Sequence, residues 1–195
     1  MKSPQVVTLI CIGPVPNIAA ALKREPRITE QARFVGMHGS VRVGYNGPST
    51  PAPEYNVKEN PRACQAVFTA PWDITITPLD TCDQVSLSAE RYQRILKSND
   101  PIASDIISNY RIWPNMRGQG SPDLLATRST VLFDTVAVYL AFSHDWCGME
   151  NLKLRVTDDG FTAEDPTGKT VHAAMTWKNL AAFEDLLVQR LTGEH

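Results

Sequence analysis

The stretch VVTLICIGPVPNIAAAL, Val6 to Leu22, decides the fold class of this 195-residue chain. Val6–Ile12 is a continuous apolar run rich in β-branched residues, the pattern of a strand buried inside a parallel sheet. It is too short to cross a bilayer, and Gly13-Pro14 turns the chain at its end. Asn17 then offers a side-chain oxygen to cap a helix through IAAALKRE, with Pro26 just past its end. A secretory leader is the competing reading of the apolar run. Pro4 and Pro14 bracket it, however, and its β-branched content favours the strand.

The same alternation continues downstream. Arg33–Met37 reads as a second strand, and Asn60-Pro61 as N-cap and first residue of a helix over Arg62–Thr69. Asp73–Thr77 (DITIT) is a third strand, ended by Pro78. Helices are expected at Ser88 with Arg91–Lys97 and from Pro101 through Ile102–Tyr110, and Ser129–Phe142 is a long apolar segment. Leu152–Val156 and Thr170–Thr176 look like paired strands joined across DDGFTAEDPTGK, and an amphipathic helix over Trp177–Leu191 closes the chain. Strands alternating with helices at this spacing define an α/β fold with a largely parallel, mixed sheet flanked by helices. One domain over residues 1–195 is expected, with no repeat and no linker.

Composition narrows the function. Nineteen basic residues stand against twenty-one acidic ones, without a basic stripe, which argues against a nucleic-acid partner. No apolar run is long enough for a membrane span. The four cysteines Cys11, Cys64, Cys82 and Cys147 lie far apart without a CxxC pair, so neither a zinc site nor a disulfide framework is expected. A reducing, cytoplasmic setting suits them. There is no GxGxxG, no GxxxxGK[ST] and no GxSxG, so the dinucleotide, P-loop and α/β-hydrolase readings lack their key residues.

In α/β sheets ligands sit at the carboxyl ends of strands. The loop after the second strand contains GPSTPAPEYN, Gly47–Asn56, stiffened by three prolines. In an extended segment Glu54 and Asn56, two apart, point to one side and can grip vicinal hydroxyls. The competing reading is an Asx-type turn with a solvated glutamate. Asp134, at the start of an apolar helix, is a first-turn charge or a ligand for a cation. His38 lies just after a strand, a mouth position. His144-Asp145 suggests an acid–base pair, but adjacent residues rarely converge on one atom, so both are read as loop residues.

Four blocks stand in order: TLICIGPVPNIAAAL, GPSTPAPEYN, PWDITITPLD and FDTVAVYLA. Together they resemble the inosine/uridine-preferring nucleoside hydrolases, over roughly Val6 to Leu140. The resemblance implies hydrolysis of the N-glycosidic bond of ribonucleosides by a calcium-bound water. It assigns the Ile12 carbonyl and the Asp134 carboxylate to the metal, and Glu54 and Asn56 to the ribose hydroxyls. It leaves a homo-oligomer open. The chain departs from the family pattern in three ways. No DTDxGxDD run is present, so the source of most metal carboxylates and of the general base is missing, and the chain reads as the C-terminal part of the family fold. Pro48 replaces an asparagine that contacts the sugar, and Phe133 replaces the histidine expected before Asp134. No catalytic residue is assigned. Little hydrolase activity is expected, the alternative being a non-catalytic member with a residual ribose-binding or protein-interaction surface.

Overall fold

The computed structural model describes residues 5–47, 50–117 and 126–194. The chain forms two compact units, Met1–Gln84 with Phe133–Lys178, and Val85–Leu132 with Asn179–His195.

The first unit is built on a six-stranded sheet in the order β1-β2-β3-β6-β4-β5. Its strands are β1 (Val7–Cys11), β2 (Ala32–Met37), β3 (Ile74–Thr77), β4 (Cys147–Val156), β5 (Thr162–Glu164) and β6 (Lys169–Trp177). β1, β2, β3 and β6 run parallel, with Leu9 opposite Phe34, Phe34 opposite Ile74 and Ile76 opposite Ala173. β4 is antiparallel to β6, and β5 is antiparallel to β4. The expected mixed, largely parallel sheet is therefore present.

Alternation along the strands explains the packing. Val7, Leu9, Phe34, Ile74, Ile76, Val171, Ala173, Leu152 and Leu154 share one apolar face. Helix α1 (Pro16–Arg24) covers it with Ile18 and Leu22, and helix α3 (Pro61–Thr69) with Cys64, Val67 and Phe68. A buried Phe or Leu here stabilises by roughly 1.5–3 kcal/mol through area removed from water. Helix α7 (Phe133–Leu140) packs against β1, β2 and β3, burying Val136, Ala137, Tyr139 and Leu140. The one-turn helix α4 (Leu79–Cys82) lies directly after β3, and Thr81 Oγ1 donates to the Ala174 carbonyl of β6 at 2.9 Å.

The second unit contains α5 (Ala89–Lys97), α6 (Pro101–Arg117) and α8 (Leu180–Thr192). Leu87, Tyr92, Ile95, Ala103, Ile107 and Val188 form its own core. Arg91 pairs with Glu184 and Asp185 of α8.

Several local expectations hold. Asn60 caps α3, its Oδ1 accepting from Ala63 N–H at 3.0 Å, and Pro61 takes the first helical position. Asn17 does not cap α1. The helix starts at Pro16, whose fixed φ suits the first turn, and the cap residue is Val15 with no side-chain bond. Helix α6 runs past Tyr110 to Arg117, and α7 occupies only part of the apolar segment over Ser129–Phe142. The paired strands are longer than the apolar runs that predict them, and β5 forms inside their connection.

Candidate functional site

The carboxyl ends of β1, β2 and β3 open onto one mouth, and the loop after β2 forms its best-defined wall. This loop must turn sharply after His38, and it does so at Gly39, whose φ of +90° lies in the left-handed region. A Cβ there would stand 2.6 Å from Thr162 Oγ1, so any other residue is both strained and crowded. Gly39 also joins two elements: its carbonyl accepts from Leu79 N–H at 2.9 Å, and its own N–H donates to Glu54 Oε2 at 2.9 Å.

Glu54 is the N-cap of the one-turn helix α2 (Tyr55–Lys58). Its second oxygen, Oε1, accepts from Asn56 N–H at 2.8 Å. With 2% of its surface exposed, it is not the solvated glutamate of the competing reading. Burial pushes its carboxyl up to about 7 against the pull of the N–H donors on Asn56 and Gly39, and the Asp134 charge adds to the rise. Asn56 lies inside α2 rather than in an extended run, because Glu54 itself starts the helical turn. Its Nδ2 donates to the Met37 carbonyl at 2.9 Å, fastening α2 to the end of β2. Among the described residues its Oδ1 accepts no hydrogen bond. The loop between these anchors includes Pro48, which lies outside the described residues.

Asp80, which sequence reasoning passed over, mirrors Glu54. It is buried in α4, and its two carboxylate oxygens accept from Val41 N–H and Arg42 N–H, both at 2.9 Å. The signal was the Pro-Leu-Asp run directly after a strand. Ser40 Oγ accepts from Ala52 N–H and donates to the Val43 carbonyl, and Tyr45 Oη accepts from Tyr55 N–H. The described parts of the loop are thus clamped on both sides of residues 48–49.

His38 is fully buried at the base of this wall, and among the described residues neither ring nitrogen has a hydrogen-bond partner. Burial pushes its pKa down to about 4, so the ring is neutral near pH 7; the Gly13 backbone is near enough to temper that shift without meeting hydrogen-bond geometry.

The other flank is sparser. Asp134 lies in the first turn of α7, half-buried, and makes no hydrogen bond among the described residues; burial raises its carboxyl. Its charge adds to the rise of the Glu54 carboxyl. Phe133 beside it meets Tyr45 edge-on, ring centroids 6.3 Å apart. Ile12, just past β1, is 48% exposed. His144 and Asp145 do not pair: Asp145 accepts from Ser143 Oγ, while His144 Nε2 meets the Leu140 carbonyl.

A calcium ion takes six to eight oxygens, several of them carboxylates. The residues proposed to hold it supply one half-buried carboxylate, Asp134, and one backbone carbonyl, that of Ile12. Among the described residues no group of three or more His, Cys, Asp or Glu is placed to hold a metal ion. This donor set does not fit calcium.

A glycine turn and capped carboxylates over the carboxyl ends of parallel strands define an α/β fold of the kind whose ligands sit at that end of the sheet. The profile of the inosine-uridine preferring nucleoside hydrolases matches residues 1–188, and the chain belongs to that family. It is 31% identical, over 97% of its length, to a pyrimidine-specific ribonucleoside hydrolase of Shewanella oneidensis, and 29% identical, again over 97%, to one of Photobacterium profundum. The chain spans 61% and 63% of those two proteins. Among solved structures, a plant nucleoside hydrolase superposes with a TM-score of 0.79 at 19% identity, over 95% of this chain and 61% of that one. The purine-preferring ribonucleoside hydrolase of Gardnerella vaginalis gives 0.76 at 22% identity, over 95% and 60%. Among the described residues no helix is long and apolar enough to cross a membrane.

Proposed function

We propose that this chain is a ribonucleoside-directed protein of the nucleoside hydrolase family, whose loop after β2 grips the ribose. The observation that carries this reading is the clamped position of Glu54 and Asn56. Gly39 N–H and Asn56 N–H fix the carboxylate, and Met37 fixes the amide, at the mouth end of a parallel strand. A carboxylate offers about four lone-pair sites, so Glu54 keeps acceptor capacity beyond its two N–H donors. Asn56 Oδ1 is a second acceptor, and a vicinal diol supplies the two matching donors. The similar proteins are described as pyrimidine-specific and as purine-preferring, so the ribose rather than the base is the shared element.

The family reaction is cleavage of the N-glycosidic bond. Calcium, assigned by resemblance, finds an unsuitable donor set among the described residues. That mismatch, together with Phe133 in place of a proton donor, favours a second reading: a member that binds nucleoside with little turnover. The four free thiols support a cytoplasmic setting.

Calorimetry with uridine, inosine and ribose, with and without calcium, combined with a base-release assay, separates the readings. Saturable binding without base release supports the non-catalytic member. Steady base release from either nucleoside overturns it in favour of a working hydrolase. Absence of saturable heat with all three ligands contradicts the ribose-binding role of the loop.

A further inference from the structure

Away from the mouth, two histidines that the proposed function does not use meet on the α7-facing side of the sheet. His144 follows α7, and His172 projects from β6 beside Asn151 of β4, its cross-strand partner. Their ring centroids are 5.3 Å apart. His144 Nε2 lies 3.0 Å from the Leu140 carbonyl oxygen, and His172 Nδ1 lies 2.8 Å from Asn151 Oδ1. Both partner atoms only accept, so these ring nitrogens carry the protons. The lone pairs then sit on His144 Nδ1 and His172 Nε2.

We propose that His144 and His172 form a two-imidazole clamp for a divalent transition-metal ion of the zinc class. Metal-binding histidines almost always donate their outer N–H to a carbonyl or carboxylate, which sets the tautomer and makes the inner nitrogen a better ligand. Both histidines already do so here. The spacing agrees. With Zn–N bonds of about 2.1 Å and a tetrahedral angle, two coordinated imidazole centroids stand about 5 Å apart. Burial and the neighbouring His144 both lower the pKa of His172.

No third His, Cys, Asp or Glu joins the pair among the described residues, so water or a small anion completes the shell. A groove of about 500 Å³ beside His172 and Asn151 offers the room. Asp73 lines the same groove with Arg33 and Lys169, two cations that outnumber it. They oppose a bare dication and favour an anion in the open position. Imidazole nitrogens suit zinc, copper or nickel, whereas calcium takes oxygen ligands, so this clamp is distinct from the family's hard-cation chemistry.

The test uses the full chain titrated with Zn2+, and with Cu2+ for electron paramagnetic resonance. One ion should bind per chain, with Cu2+ showing hyperfine coupling to two imidazole nitrogens. His144→Ala and His172→Ala should each weaken binding at least tenfold while leaving metal-free melting nearly unchanged. Asn151→Asp, which turns the second partner into a carboxylate, should tighten binding several-fold, an effect that two merely adjacent surface histidines would not show. Absence of saturable binding up to about 1 mM Zn2+ overturns the proposal. So does binding that survives intact in the double variant His144→Ala/His172→Ala.

Discussion

On the β2 side of the mouth, buried polar groups are tied to backbone. Glu54 receives Gly39 and Asn56 N–H, Asp80 receives Val41 and Arg42 N–H, and Asn56 reaches Met37. On the flank formed by α7 and β1, Asp134 of α7 makes no hydrogen bond among the described residues, and Ile10 and Ile12 at β1 are 43% and 48% exposed. Both sides belong to one unit. Buried carboxylates held by N–H donors make a rigid wall, since breaking any bond strands a buried group. A half-buried carboxylate with no such bond is dispensable to folding. The first side is therefore held rigidly in place, and the second is not.

The largest contrast is expected from truncating the two carboxylates. Glu54→Ala leaves two buried N–H groups without acceptors and should cost about 2–5 kcal/mol in chemical unfolding, whereas Asp134→Ala should stay within about 0.5 kcal/mol. Equal losses at the two positions would erase the distinction.

The pH dependence follows from the raised Glu54 carboxyl, at about 7 folded against an ordinary 4.5. Between those values the folded state holds a proton that the unfolded chain has released. Glu54 therefore makes stability fall as pH rises from about 4.5 to about 7, by at most about 3 kcal/mol, and level off above. Unfolding midpoints across that range check the sign. Glu54→Gln should flatten the slope while lowering stability at pH 8, since its amide sets a donor against a backbone donor.

Gly39→Ala should cost about 1–3 kcal/mol, combining the left-handed φ with the Thr162 contact. Melting temperature reads it, and Thr162→Ala in the same chain should recover part of the loss. The smallest effect is expected at the sheet edge. Ile10→Thr should change stability little while reducing association at high concentration, measured by light scattering, because exposed apolar edges recruit other strands.

Much of the fold was legible because its signals are local. Val6–Ile12 declares its strand by composition, and Asn60-Pro61 declares a helix start within two residues. Asn17 misled because Pro16 stands next to it and is the better first residue. β5 was invisible, since three residues, Thr162–Glu164, become a strand only through pairing with β4. The site was legible in its residues but not in its physics. Glu54 and Asn56 were recognisable from their block, yet the burial of Glu54 depends on Gly39, fifteen positions away. Asp80 depends on Val41, thirty-nine positions away, which no local pattern can announce.

The most direct measurement is a calorimetric titration of uridine into the wild-type chain and into Asn56→Ala, with both proteins shown to be folded. A ribose-gripping wall predicts saturable binding in the wild type and at least tenfold weaker binding in the variant, about 1.4 kcal/mol or more. Equal affinities in the two chains, or no binding in the wild type, would contradict it.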